Sequence, residues 1–129
     1  MRFMMLVKAD AEYEAGKPPS PELMAAIGKL SEEHARAGIL LESGGLMPSA
    51  RGARIRVSGG KLSVVDGPFS EAKELIGGYA ILRASSKQEA IELGKQFMSL
   101  HAKVLGASYV GELEVRELQD FPPQHPGRG

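Results

Sequence analysis

The sequence predicts an α+β fold of ferredoxin-like plan, β-α-β-hairpin-β-α-β, built on an antiparallel sheet. Three observations predict it. Two segments carry apolar residues at helical spacing, Leu23 to Ala37 and Ala90 to His101. Short apolar runs of strand length, Phe3 to Val7, Ile39 to Leu41 and Tyr79 to Leu82, flank them. Between the two halves, Ala53 to Val64 alternates around Gly59-Gly60, the signature of a tight hairpin.

Taken in order, Phe3 to Val7 is an unbroken apolar strand ended by Lys8 and Asp10. Ala9 to Pro19 is polar, closes in Gly16-Lys17-Pro18-Pro19, and reads as a loop. Ser20 followed by Pro21 reads as a helix N-cap with proline in the first turn. Leu23, Ile27, Leu30, His34 and Ala37 then form one face, and Gly38 stands where a left-handed cap ends a helix. A strand begins at Ile39 and is broken by Gly44-Gly45 and Pro48. In the hairpin, Ala53, Ile55 and Val57 face one way and Arg54, Arg56 and Ser58 the other, with Leu62 and Val64 continuing the apolar side. Asp66-Gly67-Pro68-Phe69 punctuates its end, and a polar connector leads through Gly77-Gly78 to the next strand. Ser86 and Glu89 make a capping box for a helix whose inner side carries Ala90, Ile91, Gly94, Phe97, Met98 and His101. A last strand lies near Val110 to Leu118. The domain is expected over residues 1–121, with 122–129 a proline-rich, frayed tail.

Composition narrows the function classes. The chain has 129 residues, enough for one domain that folds without disulfides or a structural metal. It has no cysteine, which excludes thiol catalysis and Cys-ligated metal and fits a reducing compartment. Sixteen basic and sixteen acidic side chains balance, so a phosphate-tracking groove is not expected and nucleic acid is not a direct partner. No run of about eighteen apolar residues marks a membrane span. Cytoplasmic residence is the default expectation.

Three strands are apolar throughout, the pattern of strands covered on both faces. Two helices cover one face. A second copy packed sheet against sheet is the simplest cover for the other, giving a homodimer. The alternative is that the loops Ala9–Pro19 and Ala102–Gly111 fold over that face.

Asp66 leads the candidate chemical groups. A carboxylate at a strand end, shielded by Phe69 and fixed by Pro68, suits a general base or a cation-binding group. Asp-Gly-Pro is equally turn chemistry, with the carboxylate capping backbone amides. Glu71 and Lys73 either orient a polar substrate or pair as a solvated rim. Tyr79 offers a phenol hydrogen bond or plain packing. His34 sits on the apolar stripe near a helix C-terminus, which favours an imidazolium proton donor; a hydrogen-bonded boundary residue is the other reading. His101 carries the same alternatives, and His125 lies in the tail. No histidine pair has metal-ligand spacing, and nothing marks a haem or flavin ligand. The methionines read as core filler, and Gly44-Gly45 and Gly77-Gly78 as bulges or close backbone approach.

The motif Asp66-Gly67-Pro68-Phe69, followed by Glu71, Lys73, Glu74 and Gly78, resembles the DGPF, or YCII-related, proteins of the dimeric α/β barrel superfamily. The likeness extends to the opening Met1-Arg2-Phe3-Met4-Met5-Leu6-Val7-Lys8-Ala9, to Glu33–Leu46, and to the closing strand Glu112–Leu118. The resemblance implies a ferredoxin-like protomer, dimerised through its sheet, with a cleft between strands and helices. Taken with the residue readings, it gives an unidentified small-molecule ligand, with Asp66 and His34 as catalytic candidates and Phe69, Glu71, Lys73 and Tyr79 as ligand-binding ones. Some relatives accompany sigma-factor-type regulators, which makes a non-catalytic sensing module the alternative to an acid/base enzyme. Distant relatives pair a first-helix histidine with an aspartate near the position of Asp66. This chain departs from them: its first helix offers only His34, and Met24 or Ile27 fills the slot two to three turns earlier.

Overall fold

The computed structural model of the chain describes residues 1–71 and 74–120. Lys73 and the tail at 122–129 lie outside the described residues. Strand β1 (Arg2–Lys8) leads through a one-turn helix α1 (Ala11–Glu14) to the long helix α2 (Pro21–Arg36). Strand β2 (Leu40–Gly45), a short 3-10 turn (Ser49–Arg51) and the hairpin strands β3 (Ala53–Ser58) and β4 (Lys61–Asp66) follow. Then come β5 (Ile76–Arg83), α3 (Lys87–Leu105) and β6 (Leu113–Glu117).

The main sheet has the order β2-β5-β1-β6, antiparallel at every seam. That is the order of the ferredoxin-like plan, with β5 inserted between β1 and β2. The hairpin forms a separate two-stranded sheet. Both residues of its turn have positive φ, 58° at Gly59 and 76° at Gly60, the backbone of a type I′ turn. Ile55 pairs with Val64 and Val57 with Leu62, so one hairpin face is apolar, and these side chains stay exposed in the single chain.

The helices start and stop as their residues require. Ser20 Oγ accepts the Leu23 N–H at 3.3 Å and Pro21 opens α2, while Gly38 ends the turn at φ 75°. At α3, Ser86 Oγ accepts the Glu89 N–H at 3.1 Å. Glu89 returns the contact one residue further back, taking the Ser85 N–H at 3.2 Å and hydroxyl at 2.8 Å. The segment expected to be wholly loop, Ala9 to Pro19, holds α1, because Asp10 caps the turn by accepting the Tyr13 N–H at 2.7 Å.

Alternation sorts the sheet residues. Phe3, Met5 and Leu82 point toward the helices and are buried, with Phe3 only 1% exposed against Ala84 and Ala90. Burying one such side chain contributes roughly 1.5–3 kcal/mol. Met4, Leu6, Tyr79 and Ile81 occupy the opposite face and are half-buried. Gly77-Gly78 lie near the start of β5, and Gly44-Gly45 close β2. There the Tyr79 ring crosses Gly44, where a Cβ would come within 2.9 Å of it. No helix among the described residues is long and apolar enough to cross a membrane.

Candidate functional site

A cavity of about 650 Å³ lies between α2, α3 and the helix-facing side of the sheet. Leu23, Ile27, Leu30 and His34 wall it from α2, and Leu93, Phe97, His101 and Leu105 from α3. Met5, Val7, Ala80 and Leu82 floor it, and Tyr13 and Tyr109 stand at its edge.

Strand direction places the two histidines at opposite ends. The Ile39 N–H bonds the His34 carbonyl, and the Arg83 N–H bonds the Ile39 carbonyl, so His34 lies where β1 begins and β5 ends. Helix α3 starts at that same end, with Ala90 on Phe3, passes Met5 and Leu113 at Gly94, and reaches His101 beyond. His101 is therefore at the far end, beside Tyr109.

His101 is 6% exposed. Its ring packs between Phe97, with centroids 4.8 Å apart, and Tyr109, stacked at 5.7 Å and 29°. Nδ1 lies 3.1 Å from the Phe97 carbonyl oxygen, which only accepts, so Nδ1 carries the proton. Burial, and then the charge of Asp10, push the Tyr109 phenol up from its ordinary pKa, so the hydroxyl keeps its proton.

The wall at α1 is held from outside by the hairpin end. Tyr13 donates its hydroxyl to the Leu46 carbonyl. Glu14 accepts the Ser49 N–H at 2.7 Å and its hydroxyl at 2.6 Å. Ser49 Oγ accepts the Phe69 N–H at 2.9 Å. The Gly67 N–H bonds the Gly52 carbonyl at 2.9 Å, and the Gly67-Pro68 peptide is cis. A Cβ at Gly67 would fall 1.7 Å from the Ser49 carbonyl oxygen, so only glycine fits. The Arg54 guanidinium lies 4.0 Å over the Phe69 ring and 3.1 Å from Glu71 Oε2. A hydrogen bond from its own backbone N–H, then the Arg54 contact, hold the Glu71 carboxyl below its usual range.

The residues named from sequence thus fall in four places. His34 lines the cavity. Phe69 and Glu71 meet at Arg54 on the turn. Tyr79 borders the cavity along the β5 floor but turns its side chain to the open sheet face, where its hydroxyl donates to Glu42 Oε2 at 3.0 Å. Asp66, at the end of β4, is exposed, lines no part of the cavity, and accepts no hydrogen bond among the described residues. Lys73 lies outside the described residues. No group of three metal-ligating side chains occurs among the described residues.

Sequence reasoning missed Tyr13, Glu14, Ser49 and Tyr109. The Asp10 cap was a signal for α1, but no local pattern joins Glu14 to Ser49 across 35 residues.

An uncharacterized protein of Rhizobium meliloti (strain 1021) is 27% identical over 107 residues, covering 83% of this chain and 82% of its own length. The model of the YCII-related domain matches residues 1–117, nearly the whole described chain, motif turn and cavity included. The chain belongs to the YCII-related domain family.

Proposed function

We propose that the chain is a homodimeric small-molecule-binding protein whose ligand occupies the cavity between α2, α3 and the sheet. The cavity itself carries the reading. About 650 Å³ is within the range of pockets that enclose small molecules, and a mostly apolar wall with a few convergent polar groups is their usual composition.

The homodimer rests on the sheet face away from the helices. Met4, Leu6, Tyr79 and Ile81 form an apolar strip there, and both long helices lie on the other side. The two segments that were alternative covers, Ala9–Pro19 and Ala102–Gly111, contribute Tyr13 and Tyr109 to the cavity instead, and the second begins inside α3. A second copy laid face to face would close the sheets into a barrel. Light scattering should report twice the chain mass, and Met4→Lys should shift it toward one.

Acid/base chemistry is the step beyond binding, with Asp66 as base and His34 as the cavity's titratable group at the β1 start. A thermal-shift screen of small molecules on wild type, Ile27→Phe and Asp66→Asn separates these roles. A ligand at ~100 times its Kd stabilises by about 2.7 kcal/mol. Hits lost in Ile27→Phe and kept in Asp66→Asn support the cavity. Hits lost only in Asp66→Asn move the site to the hairpin end and sink the cavity reading.

A further inference from the structure

His101 Nε2 is an acceptor without a partner among the described residues. Nδ1 spends the ring proton on the Phe97 carbonyl, which leaves a lone pair on Nε2. Nε2 makes no hydrogen bond among the described residues. It is not sealed in either, because every fully enclosed side-chain nitrogen or oxygen among the described residues has a partner. The ring is more than nine-tenths buried and lines the cavity, so the remaining opening of Nε2 is into that cavity. An occupant that excludes water from Nε2 must supply a donor or forfeit that hydrogen bond, so this position favours an occupant with a donor.

The charges around the same end fix a second property of the occupant. Four ionised side chains other than histidine border the cavity: Lys8, Asp10, Glu12 and Lys17. Three of them are paired in charge, and Asp10 meets a neutral donor. Lys8 pairs with Glu114 at 3.5 Å, Lys17 with Glu12 at 3.6 Å, and Asp10 accepts the Tyr13 N–H at 2.7 Å. Both lysines are paired with carboxylates, so an anionic ligand would find no unmatched positive charge there among the described residues and would lose its hydration.

We infer that the cavity takes a largely apolar molecule without negative charge that bears an O–H or N–H donor, which hydrogen-bonds to His101 Nε2. The inference rests on the cavity being the binding site and adds the class of ligand. Phe97 and Tyr109 hold the imidazole plane, so Nε2 is fixed in direction before the ligand arrives. His101 acts here as a binding residue, and no bond is made or broken.

The test uses three probes of one shape on the full chain: 2-naphthol, 2-methoxynaphthalene and 2-naphthoate, by titration calorimetry. In wild type, 2-naphthol should bind about tenfold tighter than the ether, the worth of one neutral hydrogen bond, and the carboxylate weakest. In His101→Phe, which keeps a ring between Phe97 and Tyr109, that preference should vanish while the ether binds as before. Nitrogen-15 spectra of wild type give a second readout independent of the variant's folding. The imidazole Nε2 resonance should start pyridine-like and move on adding 2-naphthol but not the ether. Equal affinity for 2-naphthol and the ether, or a preference surviving in His101→Phe, overturns the inference and leaves the cavity reading standing. Wild type that binds neither overturns both.

Discussion

Glu14 grips Ser49 with both carboxylate oxygens, one on its N–H at 2.7 Å and one on its hydroxyl at 2.6 Å. The same hydroxyl oxygen accepts the Phe69 N–H, so a helix turn, a 3-10 turn and the hairpin end meet on one serine. Ser49→Ala keeps the backbone contact and removes the hydroxyl ones. The expected cost is about 1–3 kcal/mol in chemical denaturation, since it strips a donor from a partly buried carboxylate and the acceptor from Phe69. The sharper readout is amide exchange. Phe69 N–H should lose protection in Ser49→Ala, and unchanged protection there would show that the serine does not hold the turn.

Gly67→Ala tests the same junction by steric means. The new Cβ would meet the Ser49 carbonyl oxygen at 1.7 Å and its carbonyl carbon at 2.5 Å. Both are backbone atoms, so no side chain can swing away. Overpacking of this kind costs about 3 kcal/mol or more when the backbone must move. Gly45→Ala, where a Cβ meets nothing within 4 Å, is the matched control and should lie close to wild type.

Sequence made the elements legible wherever their determinants are local. Ser20-Pro21, Gly38, Gly59-Gly60 and Ser86 with Glu89 each act within a few residues, and each stands in the structure where its chemistry puts it. The glycine pairs were legible as a strand end and as close approach, but what approaches Gly44, the Tyr79 ring of the neighbouring strand, has a non-local cause. The site was half legible. His34 and His101 were visible as polar breaks in apolar stripes, and the structure puts both on the cavity wall. Which one is buried with a fixed ring depends on Phe97 one turn back and on Tyr109 after the helix, and spacing alone ranks neither. The motif turn was conspicuous in sequence, yet what Gly67 accommodates is Ser49, eighteen positions upstream and without any signature of its own.

On the acid side, three carboxylates are held low in the folded chain. Glu71 is held low by its backbone N–H and then by Arg54, Glu89 by the Ser85 hydroxyl and N–H, and Glu114 by Arg116 and then Lys8. In each the folded pKa lies below the unfolded one, near 4.5. Their contribution is present above about pH 4.5 and is lost as pH falls through the folded values, because the unfolded chain takes up protons first. Carboxyl NMR titration of Arg54→Met should return Glu71 toward its ordinary value and leave Glu89 and Glu114 where they were. A Glu71 midpoint unmoved by the substitution would remove Arg54 from the account.

The alkaline side turns on Tyr79. Its hydrogen bond to Glu42, then the Glu42 charge, and least of all burial raise the phenol above its usual value near 10. Protonation is thus favoured in the folded chain. The contribution is whole below pH 10 and is lost as pH rises through the folded pKa, because the unfolded chain releases its proton first. Tyrosinate absorbance should therefore resolve a late step that Tyr79→Phe deletes and Glu42→Gln moves earlier. The Glu42→Gln step does not move all the way if the amide oxygen still accepts the phenol, but the lost charge must shift it in that direction. Tyr109 supplies the internal control, since its own upward shift comes from burial and Asp10, and Glu42→Gln should leave it in place. If the late step stays where it was in Glu42→Gln, the Tyr79–Glu42 contact across β5 and β2 does not govern the phenol.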